Sequence, residues 1–264
     1  MNPLAETIQW PPCSLAPPLA GDEIHVWATT LAVAPDILET YAATLSPDEM
    51  ARANKFKFAK HRNRFIAGRG ALRAILGQYL SVGPAGLRFA YSANGKPDFA
   101  EDFAGSGIHF NLAHTADLAM IAITRIGEIG VDVEGVRPVK NVDELVGRFF
   151  SPRESELFQK VPDEQKPVAF FNLWTRKEAL LKATGEGITR SLSLVEVSFL
   201  PGEPARLLAI SGDAVKAAQW RLRELSPAAG FTGAIAIYRG TSKIEHRTPN
   251  IEGADAGVRC WKWM

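Results

Sequence analysis

Ser46-Pro47-Asp48-Glu49 and, 105 residues later, Ser151-Pro152-Arg153-Glu154 spell one signal twice. Each reads as an N-cap serine, a proline at the first helical position and a capping-box glutamate, and so as the start of a helix. A second pair follows at an offset of 108. Arg69-Gly70-Ala71-Leu72 through Gly77 aligns with Lys177-Glu178-Ala179-Leu180 through Gly185, both helical stretches that stop at a glycine. A third comes at 114, where Met120-Ile121-Ala122-Ile123-Thr124-Arg125 matches Ala234-Ile235-Ala236-Ile237-Tyr238-Arg239, a buried strand in each half. Three ordered matches at nearly constant spacing indicate a duplicated unit, hence an α+β chain of two similar lobes.

Working outward, each copy opens with a strand (24–31; 129–134), passes through helices and closes with strands. The first lobe is expected to hold helices over 47–57 and 60–80 and strands over 87–91, 108–112 and 118–124. The second holds helices over 142–149, 152–160 and 164–183 and strands over 195–200, 220–225 and 232–239. Residues 1–21 form a Pro-rich arm, 22–126 the first lobe, 127–240 the second, and 241–264 a loosely docked polar tail ending in Trp261 and Trp263.

With 264 residues, 46% hydrophobic and 22% charged, the chain excludes disorder, collagen and disulfide scaffolds. Its two cysteines, Cys13 and Cys260, have no metal or redox spacing and read as free thiols, which implies a cytoplasmic address. No apolar run reaches the roughly 18 residues a membrane span requires, and the N-terminus lacks the basic leader of a signal peptide. Near-neutral net charge conceals polarisation: residues 1–49 carry seven acids and no Lys or Arg, and residues 50–97 carry ten Lys or Arg and no acid. Eight of these bases lie between Arg52 and Arg73, which points to an anion-binding surface for a nucleic acid, a nucleotide-like cofactor or an acidic protein.

Three constellations carry chemistry. In Gly130-Val131-Asp132-Val133-Glu134, strand alternation turns both carboxylates to one face, where like charges are costly unless a cation, a proton or solvent relieves them. An exposed acidic edge would look the same. In Trp174-Thr175-Arg176-Lys177-Glu178-Ala179-Leu180-Leu181-Lys182, the residues Trp174, Glu178 and Lys182 share one helical face, where an ordinary surface ion pair would be worth only ~0.3–0.5 kcal/mol. The third joins the turn Gly95-Lys96-Pro97 to His109-Phe110-Asn111-Leu112-Ala113-His114, a strand ending in histidine. Neither clustered His/Cys zinc ligands nor a P-loop is present, so the carboxylates suit a hard cation.

In this order the motifs resemble the 4′-phosphopantetheinyl transferases of the long, two-lobed surfactin type. They are Gly95-Lys96-Pro97, Asn111-Leu112-Ala113-His114-Thr115, Gly130 to Glu134, Arg148-Phe149-Phe150-Ser151 and Trp174 to Lys182. The G-x-D-x-E and W-x-x-K-E-x-x-x-K pair, about forty residues apart, is the specific part, and the likeness runs from about Trp27 to Arg239. The resemblance implies a fold of two lobes related by pseudo-twofold symmetry. It also implies transfer of the phosphopantetheine arm of coenzyme A to a serine of an acyl, peptidyl or aryl carrier protein. On it, Asp132, Glu134 and Glu178 hold Mg²⁺ or Mn²⁺, and Glu178, or a water it orients, is the base. Lys182 stabilises pyrophosphate charge, while Arg52, Lys96, Asn111 and His114 match coenzyme-binding positions.

This chain departs from relatives at Ala113, where a serine often precedes the histidine, and at Asn54 and Asn63, where bases or histidine occur. Because one chain supplies both lobes, a monomer is expected, with neither nucleic-acid nor membrane partners. The rival readings are a nucleic-acid-binding protein that uses residues 52–73, and a protein that binds coenzyme A without transferring from it.

Overall fold

The computed structural model describes residues 9–185, 192–239 and 257–264. The N-terminal lobe contains β1 (Pro12–Cys13), β2 (Glu23–Thr30), α1 (Pro35–Thr44), α2 (Pro47–Asn54), α3 (Ala59–Leu80), β3 (Phe89–Tyr91), β4 (Pro97–Phe99), α4 (Glu101–Ala104), β5 (His109–Thr115) and β6 (Leu118–Thr124). The C-terminal lobe contains β7 (Ile129–Gly135), α5 (Val142–Phe149), α6 (Pro152–Gln159), α7 (Lys166–Thr184), β8 (Val195–Val197), β9 (Leu207–Ile210), α8 (Ala214–Ala218), β10 (Trp220–Leu225) and β11 (Phe231–Tyr238). A last strand, β12 (Gly257–Trp263), returns to the first lobe.

The duplication is visible in the topology. Antiparallel β2-β6-β5 in one lobe repeats as antiparallel β7-β11-β10 in the other. Both S-P-x-E sequences form capping boxes, at the starts of α2 and α6. Their glutamates are buried and paired with a cation of the long helix of the same lobe: Glu49 with Arg73 at 2.7 Å, and Glu154 with Lys177 at 2.5 Å. The architecture is α+β, as read from the sequence.

Between the two main sheets lies an apolar layer that includes Val26, Met120, Ala122, Val131, Val133, Ile235 and Ile237. Burial of each large aliphatic side chain there contributes about 1.5–3 kcal/mol. Asn111 Oδ1 on β5 accepts the Val131 N–H of β7 at 2.9 Å, which joins the lobes where their strands meet.

Two expectations need correction. Residues 257–263 are not a loosely docked tail: β12 lies between β1 and β2, parallel to both, with Cys260 in the core and Trp261 stacked on Trp27 at 5.1 Å. The polar stretch before it masked an amphipathic strand. The rest of that tail, 240–256, lies outside the described residues. Helix α1 was not anticipated, because it buries no residue and so has no apolar stripe to read. Gly70 explains its seat, since a Cβ there would run into the Tyr41 side chain. The expected strand over 195–200 ends at Val197, and helix 164–183 begins at Lys166.

Candidate active site

Gly130 decides how the second lobe packs. A Cβ at this position would collide with the backbone of Ala179 and Ala183, so only glycine lets α7 lie directly on β7. That close approach carries Glu178 and Lys182 to the face of β7 from which Asp132 points, while Val131 and Val133 point into the core between the sheets. The neighbouring cations of α7 are anchored elsewhere. Lys177 donates to Glu154 and to the Leu192 carbonyl, and Arg176 donates to Glu224 and to the Ser198 carbonyl.

Lys182 does not pair with Glu178 one turn back. Its Nζ stands 2.6 Å from Asp132 Oδ1 across the helix-strand interface. Burial pushes the Asp132 carboxyl up to about 6, against the pull of Lys182. Burial, and then the charge of Asp132, push Glu178 up to about 7. Asp132 Oδ2 and Glu178 Oε1 are both buried without a hydrogen-bond partner. Glu134, half-buried at the end of β7, accepts from Thr115 Oγ1 at 2.9 Å and from Arg137 at 3.2 Å through its Oε2.

A cleft of about 590 Å³ opens from Glu178 and Lys182 toward the N-terminal lobe. Arg52, Arg64, Arg69, Lys96, Asn111 and His114 line it, with the apolar walls of Phe56, Phe65 and Leu181. Sequence reading therefore named six of the polar lining residues from the first lobe and α7, and missed Arg64, Arg69 and Asn94. The two arginines lie inside the basic run, but nothing in that run marks which bases turn inward. Arg64 donates to Asp117 at 2.7 Å, and the buried Arg69 and Arg73 share Glu49. The run is thus not one continuous solvated face. Desolvation by the cleft walls, together with Lys182, Arg64 and Arg69, holds the His114 imidazole below its usual range.

Two residues do more than line the cleft. Asn111 gives its carbonyl oxygen to Val131, and Lys96 Nζ donates to the Ala183 carbonyl at 3.1 Å. Ala113 packs into the core between the sheets, so a hydroxyl at that position would not face the cleft. Trp174 turns from the cleft to stack on Phe170 at 6.1 Å, lining a second hollow of about 450 Å³ that Glu134 also borders.

The acidic set fits a hard divalent cation by its chemistry. It offers carboxylate oxygens only, two of them buried and unpartnered, and burial first, then mutual repulsion, raises the pKa values of Asp132 and Glu178. Among the described residues, no group of three His, Cys, Asp or Glu side chains stands close enough together to hold a metal ion as placed. Lys182 holds part of the charge balance instead.

A chain of this fold, with carboxylates on a strand and a helix packed through glycine, is similar in sequence to a known superfamily of transferases. Residues 128–236 match the 4′-phosphopantetheinyl transferase superfamily model, and residues 33–125 match the N-terminal model of a 4′-phosphopantetheinyl transferase. The chain is 47% identical over 219 residues to the 4′-phosphopantetheinyl transferase HetI of Nostoc sp., covering 83% of this chain and 89% of that one. It is 30% identical to the 4′-phosphopantetheinyl transferase psf-1 of Bacillus pumilus, over 59% of this chain and 64% of the relative. With the 4′-phosphopantetheinyl transferase Sfp of Bacillus subtilis it shares 28% identity, over 60% of this chain and 68% of that one. The chain belongs to the 4′-phosphopantetheinyl transferase superfamily. No described helix is long and apolar enough to cross a membrane.

Proposed function

We propose that this protein transfers the 4′-phosphopantetheine arm of coenzyme A to a serine hydroxyl of an acyl, peptidyl or aryl carrier protein. The observation that carries the reading is the cleft itself, in which Glu178, with a buried and unpartnered oxygen, stands beside a row of cations, and Lys182 ties that cleft to the buried Asp132. Coenzyme A brings three phosphate groups to those cations, with Arg52 and His114 toward one lobe and Lys182 at the other.

The serine Oγ attacks the β-phosphorus, a new P–O bond forms, and the bond to the bridging oxygen breaks. Adenosine 3′,5′-bisphosphate leaves with the electron pair. Glu178, or a water it orients, takes the serine proton. Lys182, one turn along α7, offsets the charge gathering on the departing oxygen. Asp132, Glu134 and Glu178 would hold Mg²⁺ or Mn²⁺, which when bound neutralises charge on the diphosphate. The free cysteines agree with a cytoplasmic enzyme, and a cleft completed within one chain agrees with a monomer.

The test is intact-protein mass spectrometry of apo acyl and apo peptidyl carrier proteins incubated with the enzyme, coenzyme A and Mg²⁺, with and without EDTA. A metal-dependent gain of one phosphopantetheine on a carrier is expected. Coenzyme A binding with no gain on any carrier would overturn the reading.

A further inference from the structure

The turn that joins β3 to β4 is closed on itself. Ser92 N–H donates to the Lys96 carbonyl at 3.0 Å, Gly95 N–H to the Ser92 carbonyl at 2.8 Å, and Lys96 N–H to Ser92 Oγ at 3.1 Å. Gly95 sits at φ +77°, where a side chain would be strained. Two side chains leave this turn, and both reach the other lobe. Lys96 Nζ donates to the Ala183 carbonyl at 3.1 Å, and Asn94 Nδ2 donates to the Gly185 carbonyl at 2.8 Å.

Their targets are the last carbonyls of α7, where the helix ends with Gly185 in the left-handed conformation. Carbonyls at a helix C-terminus lack intrahelical donors and carry the negative end of the helix dipole, so an ammonium and an amide are suited to them. Ala183 follows Lys182 directly and lies five residues beyond Glu178. Any shift of this helix end therefore moves the Lys182 ammonium relative to Asp132.

We infer that Asn94 and Lys96 form a clasp between the lobes, positioning the C-terminal end of α7 so that Glu178 and Lys182 meet Asp132 in register. Lys96 is then a positioning residue rather than a phosphate ligand, because its ammonium is directed at backbone. The charge of a lysine held this way serves α7, and Gly95 serves to aim it. For its kinetic arm the inference rests on the proposed transfer reaction.

The experiment compares Lys96→Met, Lys96→Arg and Asn94→Ala with the wild type in two readouts. Steady-state transfer from coenzyme A should show kcat lowered about 10-fold in Lys96→Met with the KM for coenzyme A within about 2-fold, since misplacing a reacting group costs rate. Lys96→Arg, which can still donate to a carbonyl, should retain most of kcat. Amide hydrogen exchange should be faster over residues 180–184 in Lys96→Met and in Asn94→Ala. A KM rise larger than the kcat fall would mark Lys96 as a coenzyme ligand and overturn the clasp, as would unchanged exchange in both variants. If Lys96→Met does not fold, Asn94→Ala, at an exposed turn, carries the same test. Should the wild type transfer nothing, the proposed reaction fails, and hydrogen exchange still decides the clasp.

Discussion

Lys182 and Asp132, fifty residues apart in sequence, meet at 2.6 Å where α7 lies on β7. This contact offsets charge among Asp132, Glu178 and Glu134, which lie near enough to act on one another. It also leaves Asp132 Oδ2 buried without a hydrogen-bond partner. Lys182→Met is expected to lower kcat by about 100-fold or more, because a pre-set charge beside the leaving oxygen is lost. A kcat split from KM in steady-state assays is the check.

Divalent metal is expected to stabilise the fold through the same carboxylates. At a concentration near 100 times the dissociation constant, binding adds about 2.7 kcal/mol, or a rise of roughly 5–10 °C in melting temperature for a chain of this size. Asp132→Asn and Glu178→Gln should each remove most of that rise. Thermal melts with and without Mg²⁺ measure it, and an equal rise in both variants would remove these residues from the metal site.

The buried pair Glu154–Lys177 links α6 to α7, and Glu154 also accepts the N–H groups of Ser151 and Val197. Glu154→Gln leaves the Lys177 ammonium buried without its counter-charge, and a loss of about 3–5 kcal/mol is expected. Chemical denaturation of Glu154→Gln beside the double variant with Lys177→Met tests this. The double variant should recover part of the loss.

Deleting residues 257–264 should prevent cooperative folding. Without β12, strands β1 and β2 lose their shared neighbour, and Trp27 loses its contacts with Trp261 and Trp263. The expected loss exceeds about 4 kcal/mol. A sharp melting transition in the truncated chain would contradict it.

His25, buried in β2, bonds Tyr79 at 2.7 Å and Glu23 at 3.1 Å, with Arg259 and Trp261 of β12 beside it. Burial lowers its pKa from 6.5, Glu23 opposes the shift and Arg259 adds to it. With the folded value below the unfolded one, this stabilisation is complete above about pH 6.5 and is lost as pH falls, at up to roughly 1.4 kcal/mol per unit. Melting temperature should drop between pH 7.5 and 5.5 in the wild type, and the drop should be smaller in His25→Gln.

Local signals were written plainly in the chain. The two capping boxes, the glycine stops and the apolar strands gave the repeated unit, because each depends on residues within a few positions of one another. The alternation of Gly130 to Glu134 and the spacing of Trp174, Glu178 and Lys182 gave the faces of the site for the same reason. What the sequence could not show was partnership at a distance. Lys182 stands one turn from Glu178, yet it pairs with Asp132, since the Gly130 contact brings α7 down onto β7. Eight bases in a row look alike in a string, and only packing turns Arg69 and Arg73 onto Glu49 and leaves Arg52 in the cleft. Strand β12 and the clasp of Asn94 and Lys96 on α7 belong to the tertiary structure alone, because both form between segments that the chain separates by some ninety residues or more.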